Sequence, residues 1–161
     1  MIKSKAIQVT KGQLIRQKIS DYAALAKFRL SFLVVFSAVI GYLFTAPATL
    51  NVTSIVLLAI GGMLVTGASN AINQIIERDI DKLMKRTENR PLPTERMNVM
   101  EAVMAAGAMG ISGLLILTYF FNPVAGVLSA ISLLSYAFVY TPLKRVSPIA
   151  VFVGAVPGAL P

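Results

Sequence analysis

No Lys, Arg, Asp or Glu occurs between Leu30 and Ile76, a run of 47 residues, and a second uncharged run covers the 42 residues from Ala102 to Leu143. A helix needs about 20 apolar residues to cross a bilayer, so each run accommodates two helices joined by a short turn. Turn signals fall near the middle of both: Ala46-Pro47-Ala48 with Asn51 in the first, and Asn122-Pro123 in the second. A third apolar run begins near Pro148 and continues to Pro161. The expected fold is all-α, a multi-span transmembrane helical bundle with spans at 30–46, 52–76, 99–121 and 124–141 and the beginning of a fifth at 148–161. A chain that is 56% hydrophobic, with mean hydropathy +0.73, is not a soluble globular domain.

Charge sets the expected orientation. Seven of the 15 basic residues precede the first span (Lys3, Lys5, Lys11, Arg16, Lys18, Lys27 and Arg29), and six lie between spans two and three (Arg78, Lys82, Lys85, Arg86, Arg90 and Arg96). Lys144 and Arg145 follow span four, and neither hairpin turn carries a base. Cytoplasmic segments collect Lys and Arg, so the N-terminus and the 77–101 loop are expected on the cytoplasmic side. The net charge of +8 is then the ordinary attraction of a basic juxtamembrane arm to an anionic leaflet, and no argument for nucleic acid. Within residues 1–29, Leu14, Ile15, Ile19, Tyr22 and Ala26 recur at helical spacing, which predicts a helix lying on the membrane ahead of a single membrane domain at 30–161. The chain has no Cys and no His, so it offers neither a disulfide nor the usual nitrogen or sulfur ligand to zinc or haem iron.

Chemistry concentrates in NQIIERDIDKLMKRTENRPLP, residues 73–93. On a helix, Asn73, Glu77 and Asp81 are spaced by two steps of four and lie within about 80° of one another. One amide oxygen and two carboxylates in line suit magnesium, which takes oxygen ligands and bridges carboxylates to phosphates. Asp79 falls on roughly the opposite side, nearer Lys82 and Arg86, as an ion-pairing residue, provided the helix persists that far. The bland alternative is a solvated extension of span two whose acids pair with nearby bases. Asn73 and Asn70, set among Ala71, Ile72, Ile75 and Ile76, favour a polar pocket. Arg86 and Arg90, ahead of Pro91-Leu92-Pro93, have the guanidinium chemistry that grips phosphate. Tyr140 and Lys144, one turn apart, either face the same pocket or serve as an interfacial anchor and a snorkelling lysine; Lys27 and Arg29 share that ambiguity.

The arrangement of Asn73, Glu77, Asp79 and Asp81 followed by LMKRTENRPLP resembles the first aspartate-rich motif of the intramembrane prenyltransferases of the UbiA superfamily, in particular its haem-farnesylating branch. DYAALAKFRLSFLVVFSAVIGYL, YTPLKR and GAVPGALP agree, so the resemblance runs from Asp21 to the last residue. Glu77 stands where aspartate is more usual and Phe28 where proline is. The resemblance implies transfer of a farnesyl group from farnesyl diphosphate to a vinyl group of haem b in a bacterial inner membrane. It implies Mg2+ on Asn73, Glu77 and Asp81, with Asp79 behind them and Arg86, Arg90 and Lys144 on the diphosphate. Family bundles have about nine spans, each of about 20 residues, and a second acidic motif in their later half. Nothing after Glu101 is acidic, so the expectation is the N-terminal part of a longer enzyme, inactive without its later spans; activity of the chain alone would call instead for a homo-oligomeric active site. Two other readings stand beside this one: a prenyltransferase of the same superfamily for a quinone or chlorin precursor, and a non-enzymatic metal-binding or transport subunit.

Because the chain has no Cys, topology is directly testable. A Thr94→Cys chain is expected to react with impermeant maleimide from the cytoplasmic side only, and a Thr49→Cys chain from the opposite side only. The reverse pattern would place the acidic motif away from cytoplasmic substrates.

Overall fold

The computed structural model describes residues 10–45 and 51–159. The turn expected at Ala46–Ala48, the bases Lys3 and Lys5, and Pro161 lie outside them. Among the described residues every regular element is helical: α1 (Lys11–Leu25), α2 (Phe28–Thr45), α3 (Val52–Asp81), α4 (Val99–Phe120), α5 (Pro123–Leu134), a π-helical turn (Ser135–Tyr140), α6 (Thr141–Leu143) and α7 (Ala150–Ala159). Among the described residues four helical stretches are long and apolar enough to cross a membrane: α2, α3, α4, and α5 continued to Leu143. They match the four complete spans expected from the uncharged runs, and α7 occupies the expected beginning of a fifth.

Asparagine starts three of these spans. Asn51, Asn98 and Asn122 each accept a backbone N–H of the following first turn, at 2.9, 3.0 and 2.8 Å. Each thereby satisfies one of the donors that a helix start leaves orphaned. Two of the sequence's turn signals are thus helix caps. Pro123 follows at the first position of α5, where its missing N–H costs nothing.

Helix α3 organises the rest. Its 30 residues span about 45 Å, some 15 Å more than the hydrocarbon core of a bilayer. The last turns, which carry Glu77 and Asp81, therefore project beyond that core. Helices α3 and α4 share the most extensive contact, and Gly113 lets α4 settle on α3 near Val65 and Gly61. A Cβ at Gly113 would lie 2.9 Å from the Val65 nitrogen and 3.0 Å from the Gly61 carbonyl oxygen. Gly61, Gly62, Gly67, Gly110 and Gly113 are packing contacts, as small residues in membrane helices usually are.

The 82–98 segment folds as turns plugged into the end of the bundle. Pro91, Leu92, Pro93 and Met97 are buried, and Leu92 and Met97 join Leu25, Ala71, Ala102 and Ala106 in one apolar cluster. Burying each of these two larger side chains is worth about 1.5–3 kcal/mol. Arg96 ties the segment to α1 through Asp21, at 3.0 Å, and donates to the Asn89 carbonyl at 2.8 Å. Among the described residues two non-glycine residues have left-handed backbone: Lys27 (φ 48°), between α1 and α2, and Glu95 (φ 60°), beside Arg96. Each such residue costs about 1–2 kcal/mol, which the surrounding contacts must offset.

α1 forms where the arm's periodicity predicts a helix. Leu14, Ile15, Ile19 and Tyr22 are exposed on it, while Asp21 and Leu25 face inward. Lys18 and Tyr22 both donate to Glu101 in the first turn of α4, each at 2.8 Å.

The Gly113 contact makes a sharp prediction. Gly113→Ala drives a methyl against backbone that cannot move aside and is expected to destabilise the bundle by about 1–3 kcal/mol. Gly107, whose Cβ would meet nothing within 4 Å, is the control. Gly107→Ala is expected to be neutral or up to about 1 kcal/mol stabilising. Thermal unfolding of both variants in detergent checks the contrast.

Candidate functional site

The helix persists through Asp81, so the geometry expected of the acidic motif holds. Asn73, Glu77 and Asp81 share a buried face of α3, exposed to only 1%, 9% and 3%. Asp79 points away, exposed; its partner is Arg78 at 3.4 Å, and not the expected Lys82, which pairs with Glu95 at 3.8 Å, or Arg86. The structure then adds what the spacing alone leaves open: each residue of that face holds at least one base, and the bases come from three different segments. Lys27 donates to Asn73 Oδ1 at 3.1 Å, Lys144 to Glu77 Oε2 at 2.9 Å, and Arg90 to Asp81 Oδ2 at 2.7 Å. Arg145 stands 3.9 Å from Glu77 Oε1 and donates to the Ile76 carbonyl at 3.0 Å. Three cations thus meet two carboxylates, and a fourth, Lys27, meets the amide between them and the cavity.

Local sequence explains each arrival. Pro142 has no N–H and its ring clashes with a carbonyl four residues earlier, so it cannot sit in a regular α-helix without distortion. The chain widens into the π-helical turn, and the Thr141 N–H bonds to the Tyr136 carbonyl five residues back. Such widened turns recur at functional sites. This one brings Thr141, fully buried, against Asn73, whose Nδ2 donates to Thr141 Oγ1 at 3.1 Å and to Glu77 Oε2 at 3.0 Å. Lys144 follows one turn later, and its ammonium lies 5.4 Å from the centre of the Tyr140 ring. Arg90 is fixed by the plugged loop; Thr87 also donates to the Asp81 carbonyl at 3.0 Å. Lys27 is held half-buried in the α1–α2 turn. Burial, then the nearby Arg90 and Lys144 charges, lower its pKa from 10.5 to about 8, against the opposing pull of Glu77 and Asp81.

A cavity of about 420 Å³ begins one turn below this cluster. Ser69, Asn70 and Tyr136 line its polar part, and apolar side chains such as Leu58, Leu117 and Phe121 line the rest. Phe121 is braced edge-on by Tyr42, their ring centres 6.0 Å apart. A cationic cluster above a long apolar cavity suits an amphiphile with an anionic head.

The profile of the UbiA prenyltransferase family matches residues 34–161, most of the chain. The chain belongs to this family. Among its relatives, the protoheme IX farnesyltransferase of Christiangramia forsetii is 51% identical over 143 residues, which are 89% of this chain and 47% of that protein. The one from Cytophaga hutchinsonii is 49% identical over 140 residues, 87% of this chain and 49% of the relative. The mitochondrial protoheme IX farnesyltransferase of Arabidopsis thaliana is 42% identical over 141 residues, 87% of this chain and 33% of the relative. The chain spans about half the length of the bacterial curated relatives it matches, and a third of the plant one. No solved structure matches it.

Of the residues the sequence pointed to in this family member, the structure gathers Asn73, Glu77, Asp81, Arg90 and Lys144, and resolves the ambiguity of Lys27 in favour of the cluster. Arg86 is exposed and makes none of these contacts, and Arg29 is likewise exposed. Thr141 and Arg145 escaped the residue-by-residue reading, although both lie in the YTPLKR segment. The proline inside an apolar span was the signal for Thr141. Among the described residues no group of three or more His, Cys, Asp or Glu converges. A metal here would rest on one amide, two carboxylates and oxygens that a substrate supplies.

The Lys27 shift has a definite sign. A lysine whose folded pKa lies below its unfolded value destabilises the fold while it is charged in both states, below about pH 8. That penalty fades as pH rises toward 10.5. Lys27→Met is therefore expected to unfold at a higher temperature than the parent at pH 7, with the difference closing as pH approaches 10. Thermal melts across that range check it; a difference independent of pH would contradict the burial argument.

Proposed function

We propose that this protein transfers the farnesyl group of farnesyl diphosphate to a vinyl group of haem b, giving haem O. Water adds in the reaction and diphosphate leaves. The observation that carries the reading is the convergence of Lys27, Arg90, Lys144 and Arg145 on Asn73, Glu77 and Asp81 at the head of an apolar cavity. The relatives' name, protoheme IX farnesyltransferase, supports the choice of haem and farnesyl over other pairs in the superfamily.

The chain's own groups have separate tasks in this reading. Charge builds on the diphosphate as its bond to the allylic carbon breaks, and Lys27, Arg90 and Lys144 are fixed cations that stabilise it there. Three bases on two carboxylates, with Lys27 on the neighbouring Asn73 amide, leave a surplus of positive charge that an anionic head matches. The apolar cavity holds the isoprenoid chain and keeps water from the electron-poor allylic carbon until the vinyl carbon attacks. The oxygen donors of Asn73, Glu77 and Asp81 fit magnesium, which when bound there supplies further neutralising charge to the diphosphate. Asp81 Oδ1 and Glu77 Oε1 accept no hydrogen bond from the described residues, so both carboxylates have an oxygen to offer. In this reading the protein sits in a bacterial inner membrane with its N-terminus and the 82–98 loop on the cytoplasmic side, which is where the basic residues are.

The test is farnesyl transfer to haem b in membranes holding the complete protein, followed by chromatography of haem O. Glu77→Gln keeps the size of the side chain and loses its charge, and is expected to lower the rate at least about a hundredfold, the scale of one preorganised electrostatic group. Glu77→Asp is expected to retain much of it. Parent-level activity in the Gln variant would remove Glu77 from the reaction.

A further inference from the structure

Two buried amides of α3 perform a task that the prenyl-transfer reading leaves unassigned. Gln74, fully buried and adjacent to Asn73, turns away from the cation cluster. Its Nε2 donates to the Leu25 carbonyl at 2.7 Å and to the Ala24 carbonyl at 3.0 Å, the last carbonyls of α1. Its Oε1 is buried without a partner. An orphaned buried oxygen is unfavourable, so the side chain's contribution must come from the two bonds its nitrogen makes. One turn earlier, Asn70 reaches the same stretch of chain. Its Nδ2 donates to Ser31 Oγ at 3.2 Å and, more weakly, to the Ala26 carbonyl at 3.5 Å, while Ser31 Oγ donates to Ala26 O at 2.8 Å.

These contacts enclose Lys27 on both sides. Residues 24, 25 and 26 are gripped before it and Ser31 after it, and Lys27 itself holds the left-handed φ of 48° that a side-chain-bearing residue adopts only when its surroundings require it. Its ammonium consequently meets Asn73 Oδ1 at 3.1 Å. From these observations we infer that Gln74, assisted by Asn70, is a positioning residue that sets the Lys27 ammonium for the anionic head of the substrate. The grip fixes the turn to the same helix that carries Asn73, Glu77 and Asp81. Lys27 and the carboxylates therefore keep one frame even though 46 residues separate Lys27 from Asn73. The inference rests on the diphosphate reading of the cluster.

The test uses the chain in lipid nanodiscs, with inorganic pyrophosphate as the probe and amide hydrogen exchange as the structural readout. Gln74→Met, similar in shape and without the amide, is expected to speed exchange at Ala26 and Lys27 at least tenfold while leaving the centre of α4 unchanged. Pyrophosphate affinity is expected to fall about fivefold or more. In a Lys27→Ala background, where affinity is already reduced, adding Gln74→Met is expected to lower it no further. That non-additivity is what a purely structural role would not produce. Gln74→Asn, an amide on a stem one carbon shorter, carries the same expectations and replaces the Met variant if that chain fails to insert. If Lys27→Ala weakens binding while the Gln74 variants bind like the parent, the clamp is overturned and the diphosphate reading survives. A full additional loss from Gln74→Met in the Lys27→Ala background also overturns the clamp. If the parent fails to bind pyrophosphate, or Lys27→Ala binds as well as the parent, the diphosphate reading falls and the inference falls with it.

Discussion

Burying two carboxylates beside an apolar bundle is the constraint around which this structure is arranged. Glu77 and Asp81 are almost out of water, and the cost of desolvating a charge is several kcal/mol unless partners compensate it. The compensation comes from outside α3. One base arrives from the α1–α2 turn, one from the plugged loop and two from the end of the fourth span. Each needs its own local device: a left-handed turn, a buried Pro-Leu-Pro plug, a π-helical turn forced by Pro142. The irregular features of the chain near this end are therefore the means by which cations reach one helix face.

Much of this was legible in the sequence, for reasons that differ by element. The spans were readable because uncharged runs of 47 and 42 residues have few other uses; Asn51 and Asn122 were readable as turn signals, while their capping role, and that of Asn98, came only with the structure. The Asn73/Glu77/Asp81 face was readable because 3.6-residue periodicity is local. Its partners were not, since Lys27 and Lys144 lie 46 and 67 residues from the groups they touch. Arg86 shows the limit of reading by proximity. It is nearer in sequence to Asp81 than Arg90 is, yet the turn after Asp81 leaves it in solvent. The Asp21–Arg96 pair was equally invisible, although Asp21 is the only acid of the arm and thus a candidate for a distant partner.

The sequence also framed the acids as metal ligands or as ion-pairing residues. The structure shows ion pairs on both Glu77 and Asp81, but the bases involved are too many for charge neutrality. Simple pairing would end at one cation per carboxylate. A surplus held rigidly beside a cavity is the arrangement of a receptor for an anion, and this links the packing of the bundle end to the chemistry proposed for it.

The distances along the chain between partners also set an order in time. Asp81 meets Arg90 only nine residues on, so its charge is matched almost as soon as the segment is synthesised. Glu77 must wait for Lys144, 67 residues later, an interval of about 3–13 s at ordinary rates of translation. For that time α3 is a membrane helix with an unmatched acid near its end, resting in the interfacial layer that its extra length allows it to reach. The length of α3 thus serves biosynthesis as well as the finished site, because it keeps Glu77 hydrated until the fourth span delivers its lysine.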